Sequence, residues 1–311
     1  MAITAAMVKE LRETTGVGML DCKKALAETN GDMEKAVEYL REKGLAASAK
    51  KAGRIAAEGI VYTFITDCNK KGVIVEVNSE TDFIAKNATF REYVDQVAKQ
   101  AISSDAKDMD AFLAEKWIAD PSVTVAEALS QEVAVIGENL KIRRFEKYEK
   151  ESTGRLVSYI HGGGRIGVLV ELLCDKEADN ELEELGKNLA MQIAALNPKF
   201  IADSDVPQEF IDHEMEILVK QAQEDPKNAS KPANIIEKMV TGRLKKELKE
   251  FCLVDQAYVK DGDMTVQQYI DSVAKAVGAP IKLARFVRYE TGEGLAKKEE
   301  NFAEEVAKAM N

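Results

Sequence analysis

Cysteine and histidine are scarce in this chain of 311 residues, which limits the chemistry open to it. The four cysteines lie far apart with no C-x-x-C pair, and this spacing is typical of reduced thiols rather than of a zinc site or a disulfide framework. Histidine occurs only at His161 and His213, which excludes a metal site built from several histidines. We therefore expect no metal site.

Long apolar runs and an excess of positive charge are missing as well. No stretch approaches 18 consecutive apolar residues, and the sequence turns charged at Lys9, so we expect no membrane-spanning helix, no signal peptide and a cytoplasmic location. The formal net charge is −11, which argues against direct nucleic-acid binding because phosphate binding depends on Lys and Arg. The 45% hydrophobic content is that of an ordinary globular protein, and the length suggests about two domains.

Three short helices are predicted at the start of the chain. Thr4 is placed to cap the first helix, and Asp32 the third. Between them, a second helix is expected from about Leu20 to Glu28. We expect Gly44 to end the third helix, and the stretch 45–59 to be a linker or an exposed helix.

The middle of the chain repeats itself. Gly59–Ile65 resembles Gly154–Ile160, and Gly72–Val77 resembles Gly167–Leu172, both at a spacing of 95 residues. Each pair of β-rich runs predicts a β-hairpin followed by a helix. A further match, between 137–149 and 278–290, supplies a third strand to each copy. The sequence therefore predicts an α+β fold with a duplicated subdomain and small antiparallel sheets.

A helical insertion interrupts the second copy. Ile211, Met215, Leu218 and Ala222 recur at coiled-coil spacing, the segment 224–232 breaks the pattern, and 236–248 resumes it. This pattern predicts an antiparallel coiled-coil hairpin. A short amphipathic C-terminal helix is expected at 301–310.

Three glycines, Gly162, Gly163 and Gly164, belong to a formal G-x-G-x-x-G match that ends at Gly167. A dinucleotide site needs such a loop to open a helix, but here it leads into a predicted strand, so we interpret it as a hairpin turn. His161, which precedes the glycines, lacks a nucleophile or orienting partner in sequence. It either fills the turn or contacts a partner.

Two other segments have both a structural and a functional interpretation. Asp82 either caps the following helix or binds a partner, and Phe83 is either a core residue or an exposed interface anchor. Met19 and Leu20, in the first turn between helices, belong either to a small core or to an exposed contact patch.

Several motifs resemble the bacterial elongation factor Ts family. They are Val8–Leu26, Thr81–Asn87, Tyr159–Val170 and Ile235–Leu244, and the resemblance covers essentially the whole chain in order. It implies a guanine-nucleotide exchange factor for the GTPase elongation factor Tu, which is not an enzyme and needs no cofactor. It also implies a ubiquitin-associated-like three-helix N-terminal domain and a C-terminal helical module.

Together these expectations divide the chain into five parts. They are the N-terminal domain with its linker at 1–54, core subdomain N at 55–149, core subdomain C at 150–203 with 252–291, the coiled-coil hairpin at 204–251, and the C-terminal module at 292–311.

The resemblance also implies roles for individual residues. A first segment would bind elongation factor Tu and displace its Mg²⁺, namely Thr81, Asp82, Phe83 and Ile84. A second, mechanically separate contact would be made by His161, Gly162, Gly163 and Gly164. The N-terminal domain would face the nucleotide-binding domain of the GTPase through Arg12, Met19, Leu20 and Lys23.

Two other classes of protein remain open at this point. A ubiquitin-associated-like adaptor would explain the N-terminal helices but not the duplicated core. An enzyme would need a catalytic constellation at diagnostic spacing, and none emerges from the sequence.

Overall fold

The structure, a computed structural model, describes residues 3–150, 152–225 and 232–296 and has a mixed α+β fold. The helices are α1 (Ala5–Thr15), α2 (Met19–Glu28), α3 (Met33–Lys51), α4 (Ala88–Ser103), α5 (Met109–Ala114), α6 (Val125–Ile136), α7 (Asp179–Leu196), α8 (Gln208–Glu224), α9 (Ala233–Phe251) and α10 (Val266–Val277). The strands are β1 (Glu58–Ile65), β2 (Lys71–Ser79), β3 (Lys141–Glu149), β4 (Gly154–His161), β5 (Ile166–Cys174), β6 (Ala257–Tyr258), β7 (Asp261–Thr265) and β8 (Ile281–Glu290).

The three N-terminal helices form as the sequence predicts. Thr4 accepts a hydrogen bond from the Met7 amide at 3.3 Å, and Asp32 accepts one from the Lys35 amide at 3.1 Å, so both act as N-caps. The helices share a small buried core centred on Leu11 and Leu26.

The prediction that Gly44 ends the third helix is wrong. α3 continues through Gly44 to Lys51 because this part of the helix packs against α6. A Cβ atom on Gly44 would lie 3.4 Å from Cβ of Ala134, so the glycine permits a close approach of the two helices. The Lys51 ammonium also donates to the Gly137 carbonyl at 2.7 Å. These tertiary contacts offset the low helix propensity of glycine.

Two three-stranded antiparallel sheets form the centre of the molecule. Their strand orders are β1-β2-β3 and β4-β5-β8. In each sheet the third strand has a bulge at the same point, Arg143 of β3 opposite Glu76 and Val77, and Ala284 of β8 opposite Glu171 and Leu172. We call residues 58–149 the first unit, and residues 154–196 with 257–290 the second unit. Each sheet packs on its own helices over a separate core.

The two sheets also pack against each other. A shared cluster draws residues from both units, including Val61 and Ile74 from one and Leu156 and Leu169 from the other. Two cation–π contacts cross this contact reciprocally: Arg144 lies 4.1 Å from the ring of Tyr289, and Arg285 lies 4.0 Å from the ring of Tyr148. The two units are thereby held against each other.

Several elements were not predicted, namely α5, α6, β6, β7 and α10. The sequence carries a signal for two of them, because Thr124 with Glu127 and Thr265 with Gln268 form capping boxes at the starts of α6 and α10. These boxes stand at the same place in each unit, before the helix that leads to the third strand.

The helices α8 and α9 pack together through the apolar positions predicted for the hairpin. Leu218, Val240 and Leu244 are buried between them. The segment 226–231 and the predicted C-terminal helix at 301–310 lie outside the described residues. Within the described part of the chain, the helices are all too short or too polar to span a membrane.

Candidate functional site

The segment after β2 is anchored at its start by side chains from the α6–β3 connection. The Glu138 carboxylate accepts hydrogen bonds from the Thr81 amide at 3.0 Å and from the Thr81 hydroxyl at 2.6 Å. Next to it, the Glu80 carboxylate accepts from the Asn139 amide at 2.6 Å. Hydrogen bonds to a charged acceptor are stronger than neutral ones, so the loop leaves the sheet in a fixed direction.

Asp82 and Phe83 project from this anchored loop into solvent. The Phe83 side chain is 78% exposed, which excludes a core position. Asp82 is exposed and is not the cap of α4, because that role belongs to Asn87, whose side-chain oxygen accepts from the Thr89 amide at 2.8 Å and the Phe90 amide at 3.2 Å. The structure therefore places both residues at the surface, and Asp82 is not a helix cap and Phe83 is not a core residue.

The other two residues of this predicted segment face the protein itself. Ile84 is partly buried against the core of the first unit, at the start of a short 3-10 helix over Ile84–Lys86. Together with the anchored Thr81, it braces the exposed pair from both sides. Whether Thr81 and Ile84 touch a partner stays a prediction, but their contacts within the chain already explain why they flank Asp82 and Phe83.

The three glycines form the turn between β4 and β5. Their φ angles are 58°, 69° and 115°, in the region that glycine adopts most easily. The chain enters strand β5 directly afterwards, at Ile166, so this turn presents no helix N-terminus to a phosphate group. The hairpin turn predicted from the sequence is therefore confirmed.

Gly164 differs from its two neighbours because it is buried between the units. A Cβ atom at this position would lie 2.7 Å from Cβ of Ile60, which is too close for any side chain. Its carbonyl accepts hydrogen bonds from the Val61 amide at 2.7 Å and from the Thr291 hydroxyl at 3.0 Å. The exposed Gly162 and Gly163 remain available for the predicted approach of a partner, whereas Gly164 serves packing within the chain.

His161 lies at the end of β4 with its side chain exposed. Its Nδ1 atom is 3.0 Å from the Tyr159 hydroxyl, and this contact fixes the orientation of the ring. The side chain therefore points to solvent from the end of a paired strand and does not fill the turn.

Residues of both segments line one open groove of about 1150 Å³. Asp82 and Phe83 contribute to its lining from the first unit, and Gly162 and Gly163 from the second. Arg91, from the first turn of α4, reaches across: its Nε donates to the Ala85 carbonyl at 2.8 Å and its Nη2 donates to the Gly163 carbonyl at 2.6 Å. Arg91 was missed by sequence reasoning, because nothing in its local pattern distinguishes it from other exposed helix arginines.

The four N-terminal candidates are all exposed. Leu20 and Met19, at the start of α2, have 80% and 49% of their surface exposed, and Arg12 and Lys23 flank them on α1 and α2. Met19 and Leu20 therefore form a surface patch rather than part of the small core. These residues do not line the groove, so any contact that they make is a separate one.

One group of potential metal ligands occurs among the described residues, at the base of the α8–α9 pair. It consists of Asp203, Cys252 and Asp255, whose ligand atoms lie within 4.8 Å of one another. Burial, followed by the hydrogen bond to Asp203, raises the pKa of the Cys252 thiol to about 12. The thiol is therefore protonated at neutral pH, and a metal ion would have to displace this proton in order to bind the sulfur.

Comparison with known proteins places this architecture in a family. The family model described as Elongation factor TS matches residues 80–293. The chain is 57% identical over 309 residues to Elongation factor Ts of Clostridium novyi (strain NT), covering 99% of both chains. It is 56% identical over 306 residues to the protein of the same name from Clostridium perfringens (strain SM101 / Type A), covering 98% of both. It is 54% identical over 308 residues to Elongation factor Ts of Clostridioides difficile (strain 630), covering 99% of both chains. The chain therefore belongs to the elongation factor Ts family of translation elongation factors.

Proposed function

We propose that this chain is a guanine-nucleotide exchange factor that binds elongation factor Tu, disturbs its Mg²⁺ and phosphate site, and promotes GDP release so that GTP can rebind. Family membership supports the partner, and one observation supports the mechanism. A phenylalanine with 78% of its surface exposed, next to an exposed carboxylate, stands on a loop that is anchored on both sides. Exposing an aromatic ring on a rigid loop is costly in isolation and is typical of an interface anchor.

The mechanism follows from thermodynamic linkage. An exchange factor breaks no covalent bond, and it binds the nucleotide-free GTPase more tightly than the nucleotide-bound form. By reciprocity, its binding weakens nucleotide binding by the same factor. Phe83 would enter an apolar pocket of the GTPase, and Asp82 would take hydrogen-bond donors near the ion. Loss of Mg²⁺ leaves the phosphate oxygens of GDP without their counter-charge, which speeds departure of GDP.

The rigidity of the loop matters for this mechanism. A mobile loop would lose conformational freedom on binding, which reduces the affinity that the contact delivers. Here the hydrogen bonds from Thr81 to Glu138 and the packing of Ile84 order the loop before any partner arrives. Most of the binding energy of Phe83 is then available to distort the GTPase.

Further contacts would extend the interface. His161 with Gly162 and Gly163 would form the second contact, and the exposed patch at Met19 and Leu20, with Arg12 and Lys23, would face the nucleotide-binding domain. We further infer the domain organisation given above, in which 1–54 is a ubiquitin-associated-like domain, the two units arose by duplication, and 204–251 is an antiparallel coiled-coil insertion. The matched strand orders and bulges support the duplication.

The proposal is tested by measuring release of a fluorescent GDP analogue from purified elongation factor Tu with and without this chain. We expect catalytic amounts of the chain to accelerate release, and the chain alone neither to bind GDP nor to hydrolyse GTP. Saturable GDP binding by the isolated chain, or an unchanged release rate at saturating chain, would contradict the proposal.

A further inference from the structure

Arg91 joins the two segments that line the groove. Its planar guanidinium carries several donors in a fixed fork, and two of them donate to carbonyls of different units, Ala85 at 2.8 Å and Gly163 at 2.6 Å. Ala85 lies two residues after Phe83, and Gly163 lies two residues after His161. Among the described residues, Arg91 is the one side chain whose hydrogen bonds reach both segments.

The two segments belong to different units and are otherwise held separately. The Asp82–Phe83 loop is fixed to the first unit through Glu138, and the glycine turn is tied to β1 through Gly164. Neither of these attachments joins the loop to the turn directly. Arg91 supplies a direct attachment, because it donates both to the Ala85 carbonyl, which follows the loop, and to the Gly163 carbonyl in the turn.

The other unit lacks this bridge. The residue that corresponds to Arg91, 95 positions later, is Gly186 in α7. A Cβ atom there would lie 2.5 Å from Cγ2 of Val157, so the helix packs too closely on β4 for a longer side chain. The bridge is thus not required by the architecture that the two units share.

We infer that Arg91 is a positioning residue that fixes the Asp82–Phe83 loop relative to His161, so that the two contacts act on a partner as one rigid body. This differs from the expectation of two mechanically separate contacts. Because the bridge uses the carbonyls of Ala85 and Gly163, it depends on the fork geometry of arginine and not on its charge alone. The test of this inference by GDP-release rate rests on the proposed function, whereas its test by hydrogen exchange in the free chain does not.

The structural readout is hydrogen exchange in the free chain. Amides that close the two segments include Lys86 and Asn87 on one side and Gly164 and Arg165 on the other. We expect Arg91→Ala to speed exchange in peptides covering both segments by about fivefold, because one charge-assisted contact on each side is lost. Lys99→Ala is the matched control, since it removes a surface cation and one ion pair from the same helix, away from the groove. Unchanged exchange in both segments of Arg91→Ala would overturn the inference.

The activity readout is a double-mutant cycle of Phe83→Ala and His161→Ala, scored by GDP-release rate in two backgrounds. Each single substitution should lower the GDP-release rate by some factor. With Arg91 present, we expect the factor for the double variant to be about fivefold smaller than the product of the two single factors, since each contact helps to present the other. With Arg91→Ala, the two losses should multiply. Losses that multiply in both backgrounds would overturn the inference.

Arg91→Lys separates the bridge from the charge. It keeps the positive charge but lacks the planar fork, so we expect the coupling between Phe83 and His161 to be lost as in Arg91→Ala. Full coupling in Arg91→Lys would show that charge is sufficient and would overturn the bridging role. If the chain does not accelerate GDP release from elongation factor Tu, the proposed function fails. The hydrogen-exchange result in the free chain still decides whether Arg91 links the two segments.

Discussion

The two units share strand order, bulge position and helix placement, yet they differ in the segment after the middle strand. In the second unit the chain passes from β5 into α7 at Asp179, whereas in the first unit it stays non-helical from the end of β2 until Ala88, apart from one 3-10 turn. The residue that corresponds to Phe83 is Ala178, which is only 9% exposed. Where the second unit has the first turn of a helix, the first unit has a loop that carries an exposed aromatic ring.

The two connections are fixed by different interactions at the same place. In the first unit Thr81 bonds to Glu138, beyond the end of α6. In the second, the corresponding Lys176 donates to the Val277 carbonyl at the end of α10, at 2.5 Å. A lysine at a helix C-terminus interacts favourably with the partial negative charge of the last carbonyls. The Thr–Glu pair instead fixes a loop that is exposed to solvent. The two units therefore share strand order and helix placement, but each fixes this connection by an interaction that suits the segment it holds.

The hairpin turns show a second difference within a shared contact. The Val61 amide donates to the Gly164 carbonyl at 2.7 Å, and in the reciprocal position the Leu156 amide donates to the side-chain oxygen of Asn69 at 2.8 Å. Both turns therefore dock on the other unit. Only the second unit places glycines next to the docking residue, and this leaves the backbone of Gly162 and Gly163 open to solvent.

The largest effect is expected for the buried glutamates at the bulges. Glu76 is fully buried and accepts from Asn78, Arg143, Arg144 and the Gly292 amide, whereas Glu171 accepts from Arg285. We expect Glu76→Gln to lower the free energy of unfolding by about 3 kcal/mol, because it leaves buried donors poorly paired. Glu171→Gln should lower it by about 1 kcal/mol, since Arg285 is more exposed. Urea denaturation measures both.

The pH dependence of Glu76→Gln provides a further check. Burial opposes ionisation of Glu76, but the Gly292 amide, Asn78 and the two arginines outweigh it, so the pKa lies below its usual value. A lowered pKa in the folded state stabilises the protein above the unfolded pKa of about 4.3, and this stabilisation is lost as pH falls through the folded pKa. The difference between wild type and Glu76→Gln should therefore shrink below about pH 4. Equal losses for Glu76→Gln and Glu171→Gln would mean that the units do not differ here.

The second prediction concerns Phe83, where the two units differ most. We expect Phe83→Ala to slow GDP release by about thirtyfold, in line with about 2 kcal/mol for truncation of an interface aromatic, with little change in melting temperature. Ile118→Ala, which truncates another apolar side chain with 51% exposure, is the matched control and should change neither property. A lower melting temperature that parallels the lost activity would assign Phe83 a structural role.

Much of this fold follows from the sequence, and the reasons are physical. Strands β1, β2, β4 and β5 are runs rich in β-branched and other apolar residues and bounded by turns, and the cap residues Thr4 and Asp32 mark their helices. The continuation of α3 through Gly44 was not predictable, because it depends on contacts with Ala134, which is distant in sequence. Short elements such as β6, with two residues, have too few positions to show a period.

The candidate site was predicted less completely than the fold. The exposed pair Asp82 and Phe83 was indicated by the divergence between copies, but composition alone did not decide between surface and core. The inward role of Gly164 and the bridge made by Arg91 depend on how the two units pack, which a local pattern does not encode.

The third prediction uses another position where the units differ. Glu132 of α6 corresponds to Val273 of α10, and one of its carboxylate oxygens is buried without a hydrogen-bond partner among the described residues. Burial, with a smaller contribution from Glu92, raises the pKa of Glu132 to about 7. The folded state therefore holds a proton that the unfolded state loses above about pH 4.3, so stability falls as pH rises from there to 7. We expect Glu132→Val, which copies the second unit, to stabilise the protein at pH 8 by about 1.5 kcal/mol.

The measurement is urea denaturation across this pH range. The advantage of Glu132→Val should be largest above pH 7 and should shrink towards pH 5, where the native carboxyl is neutral. Glu132→Gln serves as the control for the charge alone and should follow the same pH dependence with a smaller gain. An advantage that is independent of pH would attribute the effect to apolar packing rather than to ionisation.

The smallest effect is expected at two corresponding positions next to the hairpin turns, one a histidine and the other a threonine. His161 and Thr66 correspond to each other, but His161 is exposed, whereas the Thr66 hydroxyl closes its own turn by accepting from the Lys71 amide at 3.1 Å and donating to the Lys71 carbonyl at 3.2 Å. We expect His161→Ala to slow GDP release by about fivefold, which is about 1 kcal/mol, and to leave the melting temperature unchanged. Thr66→Ala should lower the melting temperature and leave the GDP-release rate unchanged, because it removes a hydrogen bond within the fold and no partner contact.

Tyr159→Phe, which removes the hydroxyl that orients the His161 ring, should produce part of the His161→Ala effect. Near-complete loss of exchange in His161→Ala would indicate that the histidine is indispensable to nucleotide release and not an additional contact, and the functional difference between the two turns would then be larger than their geometry suggests.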